Sequence, residues 1–250
     1  MTSGFKDHFS TQSGGYARYR PTYPAALFEF LADITAGRRF AWDCATGNGQ
    51  AALALSRHFD EVIATDASQA QIEAALPRDR IDYRVASAEQ SGLDDGSIDL
   101  VTVGQAFHWF DESAFFDEVR RVTRDDGVLA IWSYEQCVVS KECDALVATL
   151  YGDIVDEYWP PERALVEQGY SDVEMPGQAI EVPDFRMSLD WTASDMLGYL
   201  RTWSACKRYQ ADKGKDPVAI IETSLNAAWG TELRRVVWPL TTKASRPNTR

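Results

Sequence analysis

Along the first half of this chain the hydrophobic positions switch repeatedly between two periods. Short apolar runs at Phe40–Cys44, Val62–Thr65, Ile81–Val85, Ile98–Val103 and Val128–Trp132 read as strands. Between them, Gln50–His58, Ser68–Leu76 and Glu112–Thr123 carry apolar residues at helical spacing. Strands alternating with helices predict a parallel sheet covered on both faces, because each helix returns the chain to the same end of the sheet. Ahead of this unit Pro24 suits a first helical turn, Leu27, Phe28, Leu31 and Ile34 recur at helical spacing, and Gly37 ends the run. Segment 87–97, with Ser91-Gly92 and Asp94-Asp95-Gly96, reads as a connection with little helix of its own.

Beyond Tyr134 the pattern lengthens. Helix-like segments at about 141–157, 161–169, 193–211 and 217–229 surround two strand-like runs near 179–189 and 233–242. The predicted fold is therefore α/β, a doubly wound, mostly parallel seven-stranded sheet with a C-terminal helical elaboration. Its expected divisions are an N-terminal arm over residues 1–22, a core over 23–134, and a helical cap with the last two strands over 135–250. Ligands of open parallel sheets bind outside the carboxyl ends of the strands, so such a cap is expected to close a pocket there. The tail Lys243–Arg250 is polar and is expected to fray.

Composition narrows the function classes. The 250 residues are 45% hydrophobic and 25% charged, ordinary for a globular chain. Thirty-eight acidic against 25 basic residues give a net charge of −13, which disfavours nucleic acid, whose affinity rests on Lys and Arg neutralising phosphates. Cys44, Cys137, Cys143 and Cys206 form no paired motif, and His8, His58 and His108 add no ligand spacing, so no metal site is expected. Neither an export leader nor an apolar run long enough to span a bilayer is present, so a cytoplasmic protein with free thiols and no membrane partner is expected.

The candidate chemistry begins at Asp43-Cys-Ala-Thr-Gly-Asn-Gly-Gln50, where a strand stops in a glycine turn and restarts as a helix. Such a turn aims backbone N–H groups and the positive helix end into a crevice. Asp43 adds a carboxylate that repels phosphate and attracts an amine, a sulfonium or water. Gly47-x-Gly49-x-x-Ala52 with Asp66 also fits a dinucleotide fingerprint, which leaves a nicotinamide-dependent oxidoreductase as an alternative. The polar Asp43 and Thr46 weigh against it, since a pyrophosphate site keeps its strand apolar up to the first glycine.

Four groups fall where strands end: Asp43, then Asp66, then Ser87-Ala88-Glu89, then Gly104-Gln105-Ala106-Phe107-His108-Trp109. Together they resemble the class I S-adenosylmethionine-dependent methyltransferases, whose fold is Rossmann-like, and within them the type 11 group. The arm Tyr16-Ala-Arg-Tyr-Arg20-Pro-Thr-Tyr-Pro24 and the run Gln105–Trp109 are similar to the trans-aconitate methyltransferase-like branch. The resemblance covers residues 38–134 well and the remainder weakly.

It implies S-adenosyl-L-methionine as cofactor, S-adenosyl-L-homocysteine as product and a small-molecule acceptor. It also implies that Gly47 and Gly49 face the methionine and ribose portions, that Asp43 polarises the methionine end, and that Asp66 takes the ribose hydroxyls. Ala67 and Ser68 would border the adenine, Ser87, Ala88 and Glu89 would lie at its edge, and Gln105 would sit beside the methionine. Tyr16 and Arg20 would close over the cofactor. In the usual motif a glycine stands at the position of Ala45, so Ala45 is expected at negative φ. Ser87 stands where the family often has Asp.

Other readings stay open. Asp66 could cap the helix that begins near Ser68. His108 could be a catalytic base or a packed member of an aromatic cluster with Phe107, Trp109 and Phe110. Arg201, Trp203, Lys207 and Arg208 could receive an anionic acceptor or form a solvated face. A protein that binds the cofactor without turnover is the remaining alternative. Methyl transfer is an in-line displacement, so an ionised carboxylate acceptor needs no base, whereas a hydroxyl would gain about 10²–10⁴-fold from one.

Overall fold

The computed structural model describes Tyr19 and residues 21–249. Five parallel strands come first: β1 (Phe40–Cys44), β2 (Glu61–Asp66), β3 (Ile81–Val85), β4 (Ile98–Gly104) and β5 (Thr123–Tyr134). Their order is β3-β2-β1-β4-β5, so the chain reverses direction across the sheet between β1 and β4. That reversal opens a crevice at the carboxyl ends of the two strands.

The last three strands are antiparallel. β8 (Arg234–Arg246) runs against β5, with Leu129 opposite Ser245 and Tyr134 opposite Leu240. The run expected as one strand near 179–189 is two, β6 (Gln178–Ile180) and β7 (Phe185–Trp191), which pair with successive stretches of β8. Glu181-Val182-Pro183-Asp184 separates them, and Pro183 has no N–H to give a ladder. The sheet consequently has eight strands rather than seven.

Period-2 alternation sends each strand's side chains to two cores. Ala41, Leu100, Val128, Ala130 and Trp132 pack on one face against helices α1 (Ala25–Ile34) and α2 (Gln50–Leu55) and the C-terminal helices. Trp42, Val101, Val103, Leu129 and Ile131 pack on the other face against Phe115, Phe116 and Val119. Those three lie on α4 (Glu112–Val122), while α3 (Gln69–Ala74) is short and buries no side chain completely. Full burial of each such aliphatic side chain is worth about 1.5–3 kcal/mol, so these faces hold the frame that carries the strand ends.

In the C-terminal half the expected helices are shorter. Residues 141–157 form α5 (Lys141–Thr149), then a π-helical turn (Leu150–Ile154) and a 3₁₀ turn (Asp156–Tyr158). α6 (Arg163–Glu167) follows Pro160-Pro161. The 193–211 segment breaks at Thr202-Trp203 into α7 (Ala193–Arg201) and α8 (Ser204–Lys213), and α9 (Ala219–Trp229) precedes β8. A reciprocal Thr192–Asp195 capping box fixes the start of α7.

The tail does not fray as its polarity suggested. β8 continues to Arg246, whose guanidinium donates to the carbonyls of Asp126 and Ile34, and the Asn248 amide donates to those of Arg120 and Thr123. Backbone acceptors at the ends of neighbouring elements thus hold residues that have no apolar anchor. All four cysteines are buried and unpaired, and no described helix is long and apolar enough to cross a membrane.

Candidate active site

The glycine turn follows β1 directly. Ala45, Gly47 and Gly49 all have left-handed backbone, at φ +53, +56 and +82. The expectation of negative φ at Ala45 is therefore wrong. The turn between β1 and α2 needs that conformation, and alanine adopts it at a cost of about 1–2 kcal/mol that a glycine would avoid. The Thr46 N–H donates to the Thr65 carbonyl at 2.9 Å and the Gly49 N–H to the Thr46 carbonyl at 3.0 Å, which locks the loop. A side chain at Gly47 would meet nothing within 4 Å among the described residues, whereas one at Gly49 would run into the Tyr83 hydroxyl. Among the described residues the Gly47 side of the turn is thus open and the Gly49 side is closed by Tyr83.

Asp43 lies buried beneath this turn. Its carboxylate accepts the Thr46 hydroxyl at 2.5 Å and the Thr102 hydroxyl at 2.9 Å. Burial outweighs these hydrogen bonds and raises its pKa to about 6. Asp66 ends β2, and its two oxygens accept the Gly47 N–H and the Ser68 N–H, each at 2.9 Å. Asp66 thus joins the glycine turn to the start of α3. Asp66 is not the cap of that helix, which is Ser68, but it braces the cap from the end of β2 at the edge of the crevice.

At the end of β3 the Ser87-Ala88-Glu89 connection keeps Ala88 buried. The Glu89 carboxylate accepts the Asp111 N–H at 3.2 Å, tying this connection to the N-terminus of α4. The wider 87–97 segment is held from behind, where Glu118 accepts the Ser91 N–H at 2.8 Å and pairs with Arg121.

Gln105 directly follows β4 with φ +58, and its side-chain amide makes a two-way pair with the Tyr134 backbone: O to N–H at 2.7 Å, NH₂ to carbonyl at 3.1 Å. The strained backbone turns the chain out of the sheet, and the amide stitches the ends of β4 and β5 together. Asp43, the glycine turn, Asp66, Ala67-Ser68, the 87–89 connection and Gln105 therefore gather at the carboxyl ends of four adjacent strands. An open glycine face, carboxylates for hydroxyl or cationic groups and a small-residue border suit a nucleoside carrying an amino-acid arm. Tyr16 and Arg20 lie outside the described residues. Nearby, the Gln50 side chain bonds the Pro21 carbonyl and the Tyr23 N–H, both at 3.3 Å, and Tyr19 lies against Gly198 of α7.

A second pocket adjoins this crevice through Gln105. His108, Trp109, Glu135, Trp159, Arg163 and Trp203 are among its lining residues. His108 sits on a 3₁₀ turn (Phe107–Trp109), with Nδ1 3.1 Å from the Tyr170 hydroxyl. Burial, assisted by the nearby Arg163 charge, lowers its pKa to about 3, so the ring is neutral at ordinary pH. It belongs both to the pocket and to the aromatic cluster that includes Trp109 and Tyr170. Glu135 carries the opposite sign, and burial raises its pKa.

Arg163 gave no signal in the sequence. Its guanidinium stands over the Trp159 ring at 5.1 Å, and its Nε donates to the Tyr151 hydroxyl at 3.1 Å. Its terminal nitrogens meet no acceptor among the described residues. Arg201 behaves otherwise, since Asp216 and Glu222 each hold it at 2.8 Å, and Arg208 donates to the Tyr158 carbonyl. Of the four cap residues noted in the sequence, Trp203 is the one that lines the pocket.

Comparison with known proteins shows the family and the fold. Residues 42–131 match the family described as methyltransferase domain. A methyltransferase of Dictyostelium discoideum is 34% identical over 231 residues, covering 91% of this chain and 88% of that protein. The structure of a type II methyltransferase from Anaeromyxobacter dehalogenans superposes with a TM-score of 0.86 at 41% identity, covering 92% of this chain and 99% of that one. An S-adenosylmethionine-dependent methyltransferase of Saccharomyces cerevisiae, CRG1, is 31% identical over 134 residues, covering 50% of this chain and 46% of that protein.

Proposed function

The chain belongs to the class I S-adenosylmethionine-dependent methyltransferases, and from that premise we propose that its acceptor is a small anionic molecule, methylated on a carboxylate oxygen. Membership disfavours the nicotinamide-dependent alternative. The observation that carries the acceptor reading is Arg163, a guanidinium stacked on Trp159 in the pocket next to Gln105, with its terminal donors free among the described residues. A planar fork of this kind matches a carboxylate in a bidentate manner. The resemblance of the arm and of the Gln105–Trp109 run to the trans-aconitate methyltransferase-like branch points the same way.

In this reading Gly47, Gly49 and Ala45 form the floor under S-adenosylmethionine, Asp66 receives its ribose hydroxyls, and Asp43 sets the potential at its methionine end. Ala67, Ser68, Ser87, Ala88 and Glu89 border the adenine, and Gln105 separates the cofactor from the acceptor. When bound, S-adenosylmethionine supplies a sulfonium methyl that an acceptor oxygen takes while the sulfur keeps the electron pair. The chain's own contribution is orientation and exclusion of water: the cap (Trp159, Trp203 and Arg163) holds the acceptor against the crevice. His108, neutral and bonded to Tyr170, orients the acceptor and is not required as a base.

A hydroxyl acceptor is the second reading, and Glu135 favours it, because a carboxyl with a raised pKa in the pocket suits proton removal. Assaying carboxylic acids, their neutral amides and phenols by S-adenosylhomocysteine release separates the two. Turnover confined to the carboxylic acids, with KM raised at least tenfold by Arg163→Met, is the expected result. Equal turnover of acids and amides would remove the anionic assignment. Binding of S-adenosylmethionine with no turnover of any acceptor would favour a cofactor-binding protein instead.

A further inference from the structure

Resting on the anionic-acceptor reading, we infer that Tyr151 is a positioning residue that aims the Arg163 fork at the acceptor, with Glu167 as its anchor. Tyr151 belongs to the π-helical turn Leu150–Ile154, an irregularity that often marks a functional position in a helix. Four residues converge on it. Its hydroxyl accepts from Arg163 Nε at 3.1 Å and donates to a Glu167 carboxylate oxygen. Its carbonyl accepts the Trp159 indole N–H at 3.2 Å. Its ring lies 4.7 Å from that of Trp159 and meets Trp203 edge-on at 5.8 Å.

The direction of this chain of hydrogen bonds is forced. A guanidinium only donates and a carboxylate only accepts, so the single phenolic proton goes to Glu167 and a phenolic lone pair receives Arg163. The consequence is a fixed division of the guanidinium. Its Nε edge is consumed by Tyr151, its face is consumed by Trp159, and its two terminal nitrogens remain as a preset pair of donors. Holding Arg163 by Nε through a neutral hydroxyl, rather than by a direct carboxylate pair, leaves its charge for a ligand. Arg201 shows the opposite arrangement, with its guanidinium consumed by two acids.

The test uses the S-adenosylhomocysteine-loaded protein titrated with benzoate and, as the neutral control, benzamide, read by tryptophan fluorescence. Tyr151→Phe keeps the ring contacts and removes the hydroxyl. The expected result is about tenfold weaker benzoate binding, the scale of one hydrogen bond to a charged group, with benzamide unaffected. Glu167→Ala should act in the same direction. In an Arg163→Met background the Tyr151→Phe effect should vanish, because Tyr151 acts through Arg163. Unchanged benzoate binding in folded Tyr151→Phe, or an effect that adds fully to Arg163→Met, would overturn the inference. If the unmodified protein shows no preference for benzoate over benzamide, the anionic-acceptor reading itself falls. S-adenosylhomocysteine affinity and the thermal midpoint, measured in parallel, show whether each variant is folded and cofactor-competent.

Discussion

Asp66 Oδ2 accepts the backbone N–H of Gly47 at 2.9 Å across 19 residues of sequence. One carboxylate therefore fixes the glycine turn from the neighbouring strand while facing the crevice the turn opens. A residue in this place affects ligand affinity by holding the turn in its left-handed shape and by setting a carboxylate at the edge of the crevice. Asp66→Ala should weaken S-adenosylhomocysteine binding by about 1.5–3 kcal/mol, read by calorimetry, with the protein still folded. Asp66→Asn should lie between, since its amide keeps one acceptor oxygen and places a donor against the other N–H. Unaltered affinity in both variants would remove Asp66 from the ribose site.

The Asp43 carboxyl titrates at about 6 in the folded protein against an ordinary value of 3.8, because burial disfavours its charge. The folded chain therefore holds this proton more tightly than the unfolded chain, and Asp43's contribution to stability is present below pH 3.8 and lost as pH rises through about 6. A bound cation at the methionine end reverses the preference, since it stabilises the carboxylate. Affinity for S-adenosylhomocysteine should thus increase as pH is raised from about 5 to about 7, with uptake of the ligand coupled to loss of up to one proton. In Asp43→Asn that slope should flatten, and a slope of the same size in the variant would assign it to another group.

The crevice at the strand ends was largely legible in the sequence because its parts are local. A strand end, a glycine turn and a helix start lie within Asp43–Gln50, Asp66 ends a strand, and Ser87–Glu89 and Gln105 begin within two residues of a strand end. The adjoining pocket was not legible in the same way. Arg163 stands after Pro160-Pro161 in a segment with no motif, and its place depends on a π-helical turn that no periodicity announces. Arg201 looked equivalent, but its acidic partners come 15 and 21 residues later, and only folding brings them together. The splitting of the 179–189 run had a visible cause in Pro183, whereas the positive φ of Ala45 did not, because sequence reports a residue's preference and not the loop geometry imposed on it.

That geometry yields a third prediction. At φ +53 Ala45 is strained, so Ala45→Gly should leave stability unchanged or raise it by up to about 1 kcal/mol, the relief of strain being offset by glycine's greater freedom when unfolded. Ala51→Gly in the neighbouring helix should instead lower stability by about 1 kcal/mol. Denaturant midpoints of the two variants make the comparison. A loss at Ala45→Gly as large as that at Ala51→Gly would show that the left-handed conformation carries no strain.

His108 is held neutral by its surroundings. Its folded pKa of about 3 lies below the ordinary 6.5, because burial and the Arg163 cation oppose the imidazolium. The unfolded chain takes up this proton near pH 6.5 and the folded chain only near 3, so the stability it contributes is present above 6.5 and lost as pH falls towards 3. Replacement by Gln removes that linkage, and the stability of His108→Gln should fall less steeply over this range than that of the unmodified protein. The same low pKa makes His108 a weak base near neutrality. Turnover of a carboxylate acceptor by His108→Gln should consequently stay within about tenfold of the unmodified protein, because an already ionised oxygen has no proton to remove. A loss of about 10²-fold or more in kcat, with acceptor KM unchanged, would return His108 to the role of base and with it a hydroxyl to the role of acceptor.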